Sequence, residues 1–231
     1  MKVKIVLGTA REGRKSEKVA RYLVKKAQEF GWDAELIDVR DYLLAYTHRW
    51  RITPKMKKYR EKILEADALI IVAPEYNESY PGELKILLDT IYDEYEALPV
   101  GICTVSSVTG GVRLLMELRI ASLNYRMLPV AQVLFYNVDD IFEGEELKDE
   151  KYEERVGRLF GTLEKYAKVL KPIRDEVREK PREKERGNYE VVVVYPRRDR
   201  LRWVAQVAEC AMEEGKPLIP AYAPRREEPV G

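Results

Sequence analysis

Three short segments carry the residue types that hold an anion and a flat ring. The first is Gly8-Thr9-Ala10-Arg11-Glu12-Gly13-Arg14-Lys15-Ser16. It combines hydroxyls (Thr9, Ser16), cations (Arg11, Arg14, Lys15) and glycines just ahead of a helical pattern. Backbone N–H groups, hydroxyl donors and the positive end of a helix converging on one point suit a phosphate monoester. The segment has neither the GxxxxGK[ST] spacing nor the GxGxxG fingerprint. The same residues also suit a polar turn with Ser16 as helix cap. The second segment is Pro74-Glu75-Tyr76-Asn77-Glu78-Ser79-Tyr80-Pro81-Gly82. Its aromatic rings and amide, stiffened by two prolines, offer a heteroaromatic ring both stacking and in-plane hydrogen bonds. They equally suit a rigid turn that starts the next helix at Ser79 or Pro81. The third is Ser106-Ser107-Val108-Thr109-Gly110-Gly111-Val112-Arg113. Its serines and glycines let backbone N–H groups approach a ligand closely, although such turns are common between strands and helices.

These segments must be positioned by the elements around them. Short apolar runs at residues 2–8, 34–39, 68–73, 100–105 and 130–135 read as strands. The run at 68–73 is continuously apolar, as a strand covered on both faces requires. Between the strands, residues 16–30, Pro54–Glu65, 82–95, 112–125 and 152–170 carry helical patterns. Apolar residues 19, 20, 23, 27 and 30 define one face of the first helix, and Gly31 stops it. Leu84, Leu87, Leu88, Ile91 and Tyr95 form a stripe on the third. The last holds Val156, Leu159, Phe160, Leu163, Ala167 and Leu170. Residues 42–54 contain aromatics without a clean period and read as a loop.

Five strands alternating with five helices predict an α/β fold, a doubly wound parallel sheet with right-handed crossovers. Such sheets bind ligands at the carboxyl ends of their strands. All three segments fall there, after strands one, three and four.

The pattern then changes. Residues 171–188 contain twelve charged residues and two prolines, which reads as a fraying helix end and a linker. A strand at 189–195, a helix at 199–214 and a strand at 218–222 follow, with a polar tail at 225–231 that reads as disordered. The expected division is a domain over 1–172, a charged helix end and linker over 173–188 and a small β-α-β extension over 189–231. An extension that short has little core of its own and is expected to pack on the first domain or a partner subunit.

Composition removes several classes. The 231 residues hold 41 Lys+Arg against 40 Asp+Glu, a net charge of +1 that disfavours both a polyanion binder and a strongly acidic electron carrier. No nucleic-acid partner is expected. Apolar residues at 45% are enough for a core. Abundant charge with one His and two Cys is a heat-adapted composition. Cys103 and Cys210 are too few for a disulfide framework or a CxxC zinc site, and both read as buried apolar groups. The opening MKVKIVLGT reads as a strand rather than a signal peptide. The longest apolar run, Ala68–Pro74, falls far short of the roughly 20 residues that cross a bilayer. A soluble, cytoplasmic chain is the expectation.

Over residues 1 to about 170 the chain resembles the NAD(P)H-dependent FMN reductase family, flavodoxin-like enzymes that include quinone, azo and chromate reductases. The resemblance rests on Gly8-Thr9-Ala10-Arg11 with Ser16, on Pro74-Glu75-Tyr76-Asn77-Glu78-Ser79-Tyr80-Pro81-Gly82-Glu83-Leu84-Lys85 with Asp89, and on the Ser/Gly segment 106–111. It implies strand order 2-1-3-4-5, FMN as cofactor and NAD(P)H as co-substrate. It also implies a small-molecule acceptor such as free flavin or a quinone. Thr9, Arg11 and Ser16, with the cation of Arg14 beside them, would hold the FMN phosphate. Pro74, Glu75, Tyr76 and Asn77 would line the ring, and Ser106, Ser107, Gly110 and Gly111 would meet its pyrimidine edge. The helix starting near Gly111 would stabilise negative charge on the reduced ring. The first loop, with Glu12-Gly13-Arg14-Lys15, is more charged than the family pattern, and Val108-Thr109 replaces a plainer glycine run.

No Ser/His/Asp or Cys/His arrangement is present, as expected where the cofactor carries the chemistry. His48, between Tyr46 and Trp50, reads as a surface residue. The helix at 112–125 is apolar almost all round, so it is either deeply buried or a subunit contact in a homodimer or homotetramer. Two other readings remain: an FMN-binding electron carrier or redox sensor without NAD(P)H turnover, and a flavin-free interaction protein. The C-terminal piece faintly resembles a fragment of the nucleoside deoxyribosyltransferase type; the plainer reading is an oligomer-stabilising extension.

Overall fold

The structure is a computed structural model, and it describes residues 1–45, 47, 53–107 and 110–180. Five strands form one parallel sheet: β1 (Lys2–Leu7), β2 (Asp33–Asp38), β3 (Ala68–Pro74), β4 (Pro99–Ser106) and β5 (Leu128–Tyr136). Their order is β2-β1-β3-β4-β5, as the alternation and the resemblance led us to expect. β1 and β3 are almost wholly buried; β3 is an unbroken apolar run, whereas β1 buries Lys4 in its middle against Glu35.

Helices cover both faces. The side chains of Val3, Ile5, Leu7, Ile70, Val72, Cys103 and Phe135 face α1 (Ser16–Glu29) and the final helix. Those of Val6, Leu69, Ile71, Val100 and Ile102 face α2 (Pro54–Glu65), α3 (Gly82–Leu88) and α4 (Val112–Asn124). A four-residue helix, α5 (Val138–Ile141), and a small hairpin of β6 (Phe142–Glu143) and β7 (Glu146–Leu147) lead into α6 (Glu150–Glu179). Burial pushes the Cys103 thiol well up, consistent with a packing role rather than a reactive one.

Several elements differ from their sequence expectation. Phe30 lies just past α1 and is 48% exposed, although it meets Trp32 and Phe160 edge-on at 5.1 and 5.7 Å. The third helix stops at Leu88, where Thr90 turns its hydroxyl onto the Leu87 carbonyl at 2.7 Å. A separate short turn, Asp93–Tyr95, then buries Tyr95. Helix α4 is covered on one side only and carries apolar residues beyond that side. Leu114, Leu115 and Leu118 are buried, whereas Val112, Met116, Ile120 and Leu123 are exposed.

The largest departure is α6, which does not end near Leu170. It passes through Pro172 and reaches Glu179. Arg174 is 1% exposed and donates to the carbonyls of Glu94 (2.7 Å), Glu96 (2.9 Å) and Ile63 (3.0 Å). Arg178 donates to the carbonyls of Leu64 at 2.8 Å and Ala66 at 3.1 Å, and pairs with Asp67 at 2.7 Å. These guanidiniums supply donors to carbonyls at the C-terminus of α2, where Ile63 also accepts from the Ala66 N–H at 3.2 Å. Charge in this stretch is therefore a packing device.

The strand, helix and strand expected at 189–195, 199–214 and 218–222, the tail and Cys210 lie outside the described residues, as do Tyr46, His48, Trp50, Val108 and Thr109. Among the described residues no helix is long and apolar enough to cross a membrane.

Candidate functional site

The first loop runs from the end of β1 into α1, and its carbonyls are pinned. Arg14 donates to the Thr9 carbonyl at 2.5 Å, and Arg40 donates to the carbonyls of Ala10 at 3.1 Å and Arg11 at 2.8 Å. With three successive carbonyls held by guanidiniums, the amides of Ala10 and Arg11 meet other groups. The Ala10 N–H donates to Glu83 Oε1 at 2.7 Å and the Arg11 N–H to Thr9 Oγ1 at 3.3 Å. Successive N–H groups gathered in this way form an anion-binding concavity.

From the sequence, Arg14 stands among the phosphate-holding cations, but its guanidinium is engaged elsewhere. It is buried, forks onto both carboxylate oxygens of Asp38 at the end of β2, and donates to Glu17 at 3.2 Å. Burial pushes the Asp38 carboxyl up, but hydrogen bonds from Arg14 and the Arg40 N–H outweigh it and hold the carboxyl below its ordinary range. Lys15 is also engaged, pairing with Asp139 at 2.5 Å. Arg11 is exposed, its guanidinium 5.7 Å from the Tyr76 ring centroid.

Ser16 is the first residue of α1 and does not cap it; the preceding position is Lys15. The Ser16 hydroxyl is buried, with no hydrogen-bond partner in the protein. An orphaned hydroxyl at a helix N-terminus costs stability and has the chemistry to meet an anion. Thr9 is fully buried beside this loop, its hydroxyl donating to Glu83 at 3.1 Å and lying 3.2 Å from the Tyr76 hydroxyl.

The second loop leaves β3 at Pro74 and reverses tightly. Tyr76 and Ser79 exchange backbone hydrogen bonds of 2.9 and 3.1 Å around Asn77 and Glu78, both with positive φ (48° and 68°). Two left-handed residues between a paired couple make a primed hairpin turn, where Asn is favoured and Glu is not. The turn places Asn77 at an exposed tip. Glu78 forms an ion pair with Arg113 and Glu75 accepts from the Leu114 N–H at 3.4 Å, so this loop reaches the start of α4 twice. Lys85 and Asp89 pair at 2.5 Å, and Tyr125 donates to the same carboxylate, tying α3 to α4.

In the third loop Gly110 and Gly111 both have positive φ, 67° and 76°. A Cβ on Gly110 would stand 2.2 Å from the Tyr136 ring, and one on Gly111 would stand 2.7 Å from Thr104 Cβ. The Thr104 hydroxyl donates to the Gly110 carbonyl at 2.6 Å, holding the turn that opens α4. Ser106 is half-buried and Ser107 exposed at the end of β4.

The structure thus joins the three segments. Thr9, Arg11 and Tyr76 meet across the first and second loops, while Glu75 and α4 meet across the second and third. Four contributors were not singled out from the sequence: Asp38, Arg40, Glu83 and Tyr136. Only Glu83 carried a signal, as the acidic residue inside the Pro-Gly-Glu-Leu-Lys run.

Comparisons with known proteins agree on the family and the fold. A family model described as NADPH-dependent FMN reductase matches residues 1–139. An FMN-dependent NADPH-azoreductase of Staphylococcus haemolyticus is 32% identical over 110 residues, covering 44% of this chain and 58% of the relative. The chain therefore spans a little over half the length of that relative. The flavoenzyme NAD(P)H:(acceptor) oxidoreductase FerB of Paracoccus denitrificans superposes with a TM-score of 0.59 at 21% identity, over 74% of this chain and 97% of that one. An oxidoreductase of Corynebacterium diphtheriae gives 0.56 at 18%, over 72% and 96%. At such identities these two structures speak for the fold.

Proposed function

The chain belongs to the NADPH-dependent FMN reductase family, and from that premise we propose that it is an FMN-dependent oxidoreductase moving reducing equivalents from NAD(P)H to a small acceptor such as free flavin, a quinone or an azo compound. The observation that carries this reading is the buried, partnerless Ser16 hydroxyl at the N-terminus of α1, beside the amides of the first loop. A phosphate monoester supplies what that group lacks. The residues present therefore fit FMN.

Bound FMN supplies a ring that accepts hydride and passes electrons on, so the protein needs no acid, base or nucleophile of its own. The chain binds and orients. Thr9, Ser16 and the amides of the first loop hold the phosphate, with Arg11 adding charge. Arg14 and Arg40 keep those amides turned to it by holding the carbonyls. Pro74, Glu75, Tyr76 and Asn77 border the ring, and the glycine turn at 110–111 lets backbone approach its polar edge. The N-terminus of α4 favours negative charge there. The site experiment is a titration of the full chain with FMN followed by addition of NADPH and a quinone. Uptake of FMN and consumption of NADPH support the reading. Uptake without consumption favours the carrier or sensor.

The exposed apolar stripe of α4 supports self-association. Val112, Met116, Ile120 and Leu123 are 47–63% exposed on one helix, a pattern that a homo-oligomer contact would cover. Light scattering that returns a monomer mass contradicts this.

A further inference from the structure

The first loop already holds an anion, and it is the protein's own. Glu83 is the second residue of α3, yet its Oε1 accepts from both the Ala10 N–H at 2.7 Å and the Thr9 hydroxyl at 3.1 Å. Those are two donors that the phosphate reading assigns to the cofactor. The carboxylate is half-buried, and both donors belong to the concavity that Arg14 and Arg40 build by pinning carbonyls 9–11.

We propose that Glu83 is a resident anion that occupies the phosphate donors of Thr9 and Ala10 and must be displaced when FMN binds, so that it sets how weakly and how exchangeably the flavin is held. This deepens the FMN reading and rests on it. A carboxylate and a phosphate dianion cannot share one pair of donors, because each donor has one hydrogen to give and like charges in contact repel. The Ser16 hydroxyl lies outside the competition, having no partner to give up. Glu83 therefore opposes binding of flavins that carry a phosphate and is indifferent to those without one. A flavin held in this way leaves readily, as suits a protein that passes on reduced flavin as well as electrons.

The test measures affinity rather than turnover. The full-length chain, Glu83→Gln and Glu83→Ala are each titrated with FMN and with riboflavin, following quenching of flavin fluorescence. Gln keeps an acceptor for Ala10 and Thr9 without the charge, so the loop is supported if Ala loosens it. The expected result is about tenfold or greater tightening of FMN in Glu83→Gln, slower FMN release, and riboflavin affinity unchanged within about twofold. Equal or weaker FMN binding in both variants, with FMN binding by the unaltered chain retained, overturns the inference alone. Equal tightening of FMN and riboflavin also overturns it, since the effect is then not on the phosphate. Failure of all three proteins to bind FMN overturns the inference together with the FMN reading.

Discussion

The Arg14 guanidinium forks onto the Asp38 carboxylate and in the same pose donates to the Thr9 carbonyl at 2.5 Å. A residue in the middle of a phosphate-type loop is thus anchored to the end of the neighbouring strand. Its charge shapes the loop through the backbone.

This pair has a pH signature. The Asp38 carboxyl is held below its ordinary range in the folded chain, so its contribution is complete above the unfolded carboxyl value of about 3.9 and is lost as pH falls through the lower folded value. Asp38→Asn should lower stability by about 1–2 kcal/mol at neutral pH. In denaturant titrations across pH, the gap between variant and parent should narrow as pH falls through and below the ordinary carboxyl range. A gap that stays constant there contradicts the assignment.

Ser16→Ala should separate stability from binding. Removing a buried hydroxyl with no partner should raise the thermal midpoint of the flavin-free chain, by about 1 kcal/mol of stability, while weakening FMN. Calorimetry on the flavin-free protein and an FMN titration check both halves. A structural role for the hydroxyl predicts the opposite sign in the first.

Gly111→Ala should cost about 2 kcal/mol or more. Its φ is +76°, and the new methyl would press on Thr104 at 2.7 Å. FMN affinity should fall with it, because the turn that opens α4 moves. An unchanged melting temperature would show that the turn relaxes freely.

Arg174→Met tests the long final helix. It removes the guanidinium donor from the carbonyls of Glu94, Glu96 and Ile63, the last keeping only the Ala66 N–H, a loss of about 3 kcal/mol. Riboflavin and FMN affinities of the folded fraction should be unaltered, since none of these groups touches the three loops.

The sheet was legible because its strands are short runs rich in β-branched and apolar residues, continuous in β3, and the order of alternation leaves few topologies. The three loops were legible because hydroxyls, glycines and prolines follow strands one, three and four. What escaped was pairing across distance. Nothing near Arg14 announces Asp38, 24 residues away, as the partner that takes its charge out of the site. Arg174 and Arg178 read as charge of a fraying helix end and linker because most of their partners are backbone carbonyls, which have no side-chain signature. Glu83 stood in the Pro-Gly-Glu-Leu-Lys run, but its place in the first loop depends on how closely α3 approaches β1.

The most direct measurement is the visible absorbance spectrum of the full chain loaded with FMN, recorded without oxygen before and after NADPH. The account predicts that the protein retains FMN, that NADPH bleaches the flavin absorbance, and that a quinone restores it. A chain that takes up no FMN, or whose bound flavin keeps its oxidised spectrum in excess NADPH and NADH, contradicts the account.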